Sequence, residues 1–127
     1  MTVLYLDASA ITKLVVDEAE TAALRMRVRG ERLATSRVAV VEVTKAVGRA
    51  NPTADPQPIL NRLAFVELDA NLARLAGATG GFGLRALDAI HVASAVRLGQ
   101  EMNAFVTYDD GQAAAASAVG FAVEAPA

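Results

Sequence analysis

The chain has 127 residues, a mass of 13.2 kDa, a formal net charge of −2 and a pI near 5.3. It contains no Cys, no Trp and one His, which excludes a disulfide scaffold, a thiolate zinc site, an iron–sulfur cluster, a thiol nucleophile and any two-His metal motif. Slight acidity and an aromatic content of 5% argue against a surface that coats or stacks nucleic acid, so any chemistry rests mainly on carboxylates, hydroxyls and arginines. The length is that of one domain, residues 1–127. No basic region precedes Asp7, so no signal peptide is expected, and the longest uncharged stretch, Gly111 to Val123, is too short to cross a bilayer. A cytoplasmic location is the expectation.

Residues 2–6 form a short apolar run ending at an acid, which fits a buried strand. Residues 8–16 read as a helix with Ala10, Ile11, Leu14 and Val15 on one face. A second helix runs from about Glu20 to Arg29 and stops at Gly30. Leu33 to Thr35 is a weak short strand, and Ser36 is the expected N-cap of a helix from Arg37 to about Ala50. That helix is rich in β-branched valines that favour strand. The stripe Ala39, Val43, Ala46, Val47 and Ala50 nevertheless has helical spacing. A Pro-rich loop over 51–58 leads to a helical Ile59–Leu63, a strand Phe65–Leu68 and a helix Ala70–Ala76. Four glycines between Gly77 and Gly83 predict a flexible loop. An apolar helix Ala86–Leu98, a strand Ala104–Thr107, an Ala-rich helix Gln112–Val119 and a last strand Phe121–Val123 complete the chain. Alternating strands and helices predict an α/β fold in three layers, with a parallel sheet of about five strands.

In open parallel sheets, ligands bind at the carboxyl ends of the strands. Asp7 follows the first strand, and Asp109 lies just after the strand ending at Thr107. Glu42 and Asp88 are embedded in apolar sequence, where an unpaired carboxylate is costly. Each acid alone has an ordinary explanation: Asp7, Asp88 and Asp109 or Asp110 as helix caps, and Glu42 on a solvated stripe with Lys45 and Arg49. Together, carboxylates at one sheet edge would repel and raise one another's pKa values unless a cation neutralised them. Oxygen-only ligands select a hard ion, Mg²⁺ or Mn²⁺, which suits phosphodiester hydrolysis by activating water and stabilising the leaving oxygen.

Four segments occur in order: Leu4-Tyr5-Leu6-Asp7-Ala8-Ser9, Val40-Val41-Glu42-Val43, Leu87-Asp88-Ala89-Ile90-His91-Val92-Ala93, and Phe105-Val106-Thr107-Tyr108-Asp109. With them the chain resembles PIN-domain nucleases over nearly its whole length, and more closely the VapC-type ribonuclease toxins of bacterial toxin–antitoxin systems. The resemblance implies a Rossmann-like sheet of order 3-2-1-4-5 and Mg²⁺- or Mn²⁺-dependent endonucleolytic cleavage of RNA. It implies that Asp7, Glu42, Asp88 and Asp109 form an acidic quartet, with Glu42 as ligand or orienter of the attacking water. Ser9 and Thr107 then orient carboxylates or bound water. The adjacent Asp110 leaves open which aspartate faces the metal, and the Thr-Xaa-Asp spacing favours Asp109. The resemblance further implies a homodimer neutralised by a small antitoxin.

RNA contacts are expected from Arg85, three residues before Asp88, and from Arg25 and Arg29 on the second helix, although a solvated face is the plainer reading of the latter two. His91, one helical turn after Asp88, is read as a packed, locally hydrogen-bonded residue rather than a site contact. A haloacid-dehalogenase-type phosphatase is disfavoured because position 9 is Ser and not a second Asp. A receiver domain is disfavoured because the only lysines are Lys13 and Lys45. A non-cleaving PIN-like scaffold that binds RNA or a partner is the remaining alternative.

Overall fold

The computed structural model describes residues 2–127. Five strands, β1 (Val3–Leu6), β2 (Arg32–Ser36), β3 (Leu63–Val66), β4 (Met102–Val106) and β5 (Val123–Glu124), pair in the order β3-β2-β1-β4-β5. All four pairings are parallel. Seven helices connect them: α1 (Ala8–Val15), α2 (Thr21–Val28), α3 (Ala39–Ala50), α4 (Gln57–Leu60), α5 (Ala70–Gly77), α6 (Ala86–Leu98) and α7 (Asp110–Ala118). The expected α/β class and the strand order 3-2-1-4-5 are both borne out.

Strand alternation distributes the core between two faces. Leu4, Leu6, Leu33, Ala104 and Val106 point to one side and pack with Ile11, Leu14, Leu24, Val28, Val43 and Val47 of α1, α2 and α3. Tyr5 and Phe105 point to the other, against Ala95 of α6 and Ala116 of α7. Their rings stack with centroids 4.9 Å apart. Small residues at Ala89, Ala93 and Ala95 let α6 lie close to the sheet. Both faces are therefore covered, which explains why β1 is buried along its whole length.

Several expected boundaries move. The weak strand is in fact β2, a full interior strand hydrogen-bonded on both sides, because burial outweighs its modest propensity. Ser36 ends β2 instead of capping a helix; its hydroxyl accepts from Val38 N at 3.3 Å, within the turn that delays α3 to Ala39. The α4–β3 segment lies about two residues earlier than expected. Asp55 accepts from Gln57 N at 3.0 Å and Pro58 fits the first helical turn, so the helix starts early. Leu63 then pairs with Leu33, and Glu67 leaves the strand to meet Arg37. At the C-terminus, Gly120 turns with φ +93° and Phe121 N–H donates to Ala116 O, so pairing with β4 begins only at Val123.

Candidate active site at the switch point of the sheet

The order reverses between β1, whose chain continues to β2 on one side, and β4 on the other. A crevice opens at such a point, beyond the carboxyl ends of the strands. Asp7 stands at the end of β1, and Thr107 and Asp109 stand just past β4.

Asp7 is 3% exposed. Its backbone is extended, and its side chain caps α1 by accepting from Ala10 N at 3.1 Å. Oδ1 also accepts from Ser9 Oγ at 2.6 Å, and Oδ2 accepts from Thr107 Oγ1 at 2.5 Å. Each hydroxyl in turn accepts a backbone N–H: Ser9 Oγ from Tyr108 at 2.9 Å, Thr107 Oγ1 from Asp109 at 3.1 Å. One hydroxyl pair thus ties Asp7 to the backbone entering α7. Burial nevertheless pushes the Asp7 carboxyl above the usual carboxylate range, against the lowering effect of Ser9 and Thr107. No Lys or Arg among the described residues forms an ion pair with it.

Asp109 is the N-cap of α7 and accepts from Gln112 N at 2.8 Å. Asp110 is exposed in the first turn of that helix, so Asp109 is the aspartate tied to Thr107. Gln112 is buried and donates from Nε2 to the Asp88 carbonyl at 3.1 Å, which joins α7 to the start of α6. Asp88 is half-buried in the first turn of α6, with Arg85 Nε 3.5 Å from its Oδ2. The Arg85 side chain is 78% exposed beside it.

Glu42 projects from α3 toward α6, and its Oε1 is 2.7 Å from His91 Nε2. The expectation for His91 is corrected in part. The ring is packed, at 1% exposure, but its partners are remote in sequence: Glu42 on one nitrogen and the Tyr5 hydroxyl, 2.6 Å away, on the other. The available clues were an imidazole in a small-residue helix and a tyrosine two residues before Asp7. A cleft of about 410 Å³ beside these groups is lined by Ser9, Thr12, Lys13, Glu42, Arg49 and Tyr108. Lys13 lies 4.9 Å above the Tyr108 ring and bonds Glu18 and Glu20.

Arg25 and Arg29 are not brought to this edge. They line a groove with Gly30 and Arg62, at the amino-terminal ends of β2 and β3. The chain reverses direction between β1 and α2, which carries both arginines to the opposite end of the sheet, and Arg25 pairs there with Asp17 at 3.3 Å.

The donor set suits a hard cation: carboxylate oxygens from four elements, with hydroxyls beside them and no soft ligand. Asp7 fits that role physically, being a buried carboxylate without a cationic partner. Among the described residues no three Asp, Glu or His side chains form a ready-made cation cluster. Glu42 is turned to His91, Asp88 to Arg85 and Asp109 to the α7 N-terminus, so each acid is held by its own donor.

An all-parallel α/β domain with Asp7 and Asp109 just past the carboxyl ends of β1 and β4 belongs to the Rossmann-like class. The PIN domain family model matches residues 4–118, and the chain belongs to that family. It is 42% identical to ribonuclease VapC46 of Mycobacterium tuberculosis, covering 99% of each chain. It is 37% identical to ribonuclease VapC47 of the same species, covering 97% of this chain and 96% of that one. The crystal structure of M. tuberculosis VapC20, described as a Sarcin-Ricin loop cleaving toxin, shares the fold with a TM-score of 0.72 at 16% identity, over 97% of this chain and 99% of that one.

Proposed function

We propose that the protein is an endoribonuclease toxin that cuts RNA phosphodiesters with the help of Mg²⁺ or Mn²⁺ held by Asp7, Asp88 and Asp109, with Glu42 as a further ligand or orienter of water. The observation that carries this reading is Asp7: a buried carboxylate with three hydrogen-bond donors and no Lys or Arg partner among the described residues, at the switch point of a PIN fold. Kinship with two named ribonucleases supports RNA as the substrate.

When bound, the cation would activate water and stabilise charge on the leaving oxygen. The chain's own residues do the rest. Ser9 and Thr107 hold the Asp7 carboxylate in one orientation by donating to its two oxygens. Asp109 is fixed by its capping bond, and Arg85 at the mouth supplies charge for a substrate phosphate. Thr107 ties Asp7 to the backbone of Asp109, and Gln112 ties α7 to the start of α6, while Glu42 stands apart on His91.

The resemblance also supports a homodimer in the cytoplasm, neutralised by a small antitoxin. No helix among the described residues is long and apolar enough to cross a membrane. Leu68, Phe82 and Leu87 are exposed apolar residues, a kind of surface that protein partners cover.

The test is cleavage of RNA by the purified protein in Mg²⁺, in Mn²⁺ and in chelator, with Asp88→Asn alongside. Cleavage that needs the cation and fails in the variant is expected. Full activity in chelator would end the metal reading, and binding of RNA without cleavage in any condition would favour the scaffold alternative.

A further inference from the structure

The only imidazole of the chain lies under Glu42, and both of its nitrogens are engaged. A carboxylate can only accept, so the proton between His91 and Glu42 sits on Nε2. On the other side, the Tyr5 hydroxyl faces Nδ1 at 2.6 Å. A phenol is protonated at neutral pH, so its O–H can donate to Nδ1 at that short distance. In a neutral ring the two bonds then run in one direction, from Tyr5 O–H to Nδ1 and from Nε2–H to Glu42 Oε1. The bond made by one ring nitrogen dictates which tautomer the other presents.

We infer that His91 is a positioning residue: its ring, locked by Tyr5 as the Nε2–H tautomer, holds Oε1 of Glu42 and leaves Oε2 as the oxygen offered to the cleft. The inference rests on the proposed nuclease reading and deepens it. Three features carry it. The imidazole is 1% exposed and so cannot swing away. Its edge contacts the Tyr5 ring, at 77° between planes and 5.8 Å between centroids, which fixes the plane of the imidazole. Glu42 also lines the cleft that Ser9 lines, its side chain 23% exposed and anchored at one oxygen only. A long acidic side chain on a helix loses several rotamers when so anchored, and that order would otherwise have to be supplied at each encounter with cation and substrate.

Because His91 is the sole histidine, a ¹⁵N spectrum of the labelled full chain shows one imidazole. The expected spectrum has a protonated Nε2 and an unprotonated Nδ1, with a mixture of tautomers appearing in Tyr5→Phe. Function is read as Mn²⁺ affinity of the free protein by electron paramagnetic resonance, and as kcat and KM for RNA. His91→Leu removes the donor but strands a buried phenol, so the double variant Tyr5→Phe with His91→Leu is measured beside it. Loss of the donor is expected to cost about 10- to 100-fold in Mn²⁺ affinity or kcat, with KM for RNA held. His91→Gln, whose amide N–H reaches the place of Nε2–H, is expected to recover most of that loss. A proton found on Nδ1, or a double variant equal to wild type in Mn²⁺ affinity and kcat, would overturn the inference. The nuclease reading fails in a different way: the wild type itself would then neither bind Mn²⁺ nor cut RNA, while the spectrum still decides the tautomer.

Discussion

Asp7→Asn separates the two demands made on this side chain. The replacement keeps one oxygen in place for Ser9 Oγ and Ala10 N. Its amide then faces Thr107, whose hydroxyl turns from donor to acceptor and has Ser9 Oγ 3.4 Å away for its own proton. Three charge-assisted bonds become neutral ones, a loss of about 1 kcal/mol each at most. Removing an unpaired charge from a site 3% exposed recovers several kcal/mol of desolvation, to order of magnitude. Burial is the largest influence on this carboxyl and leaves it raised despite the hydroxyls, so the balance favours the neutral side chain. The Asp7→Asn protein is expected to be about 1 kcal/mol more stable than wild type in chelator at neutral pH, roughly 3–5 °C in Tm for a chain of this length. A carboxyl raised in the folded state contributes stability that is complete below its unfolded pKa and lost as pH rises through its folded one. The advantage of the variant is therefore expected at neutral pH and should vanish in acid. Cation reverses the order: at a hundredfold excess over Kd, wild type gains about 2.7 kcal/mol and the variant little. RNA cleavage should fall by about 100-fold or more. Thermal melts with and without Mg²⁺ at two pH values decide the matter. A variant less stable than wild type in chelator at neutral pH would refute the reasoning, because Asp7 would then be a satisfied cap and not a carboxylate in need of a counter-charge.

Other expectations follow from the same geometry. Asp109→Ala should cost about 1 kcal/mol in denaturant melts through loss of the α7 cap as well as activity, whereas Asp110→Ala should leave stability nearly unchanged. Arg85→Ala should raise KM for RNA and flatten the salt dependence of binding by about one counterion, while Arg25→Ala and Arg29→Ala, at the far end of the sheet, should leave both as they are. Equal effects at all three positions would argue against the placement of Arg85 at the mouth. Asp69 caps α5 and is held at a pKa of about 2, by Arg97 first and by the Leu72 N–H next. Its contribution to stability is present above the ordinary carboxylate pKa and lost as pH falls toward 2, so the Asp69→Asn protein should converge with wild type in acid melts.

Much of this was legible in the residues. The acids after β1 and β4 were visible because a parallel strand reads as a short apolar run and the crevice lies where it stops. The helix through Val38–Val47 was legible from its spacing in spite of its valines. The relation of His91 to the site was not, because it depends on contacts 49 and 86 residues away that no local pattern encodes. Arg25 and Arg29 misled for a related reason. Proximity in sequence to Asp7 says nothing about which end of the sheet a returning helix reaches. The register of β3 was also hidden, since Leu63 to Leu68 alternates well enough to pair in either of two frames, and only pairing with Leu33 and Ser36 selects one.

Asp7 and Asp109 cap helices, whereas Glu42 and Asp88 cap none. The difference bears on how such a protein decays once selection on its activity lapses. Folding would go on favouring a capping residue, Asp, Asn or Ser, at positions 7 and 109, with Asn preferred at 7 where a buried charge is costly. Glu42 would be held as well, because it accepts from the buried His91 Nε2–H, whereas Asp88 meets only the exposed Arg85 and would be free to change. On the proposed nuclease reading, the residue at 88 is therefore a better sign of a living enzyme than the capping residues at the strand ends.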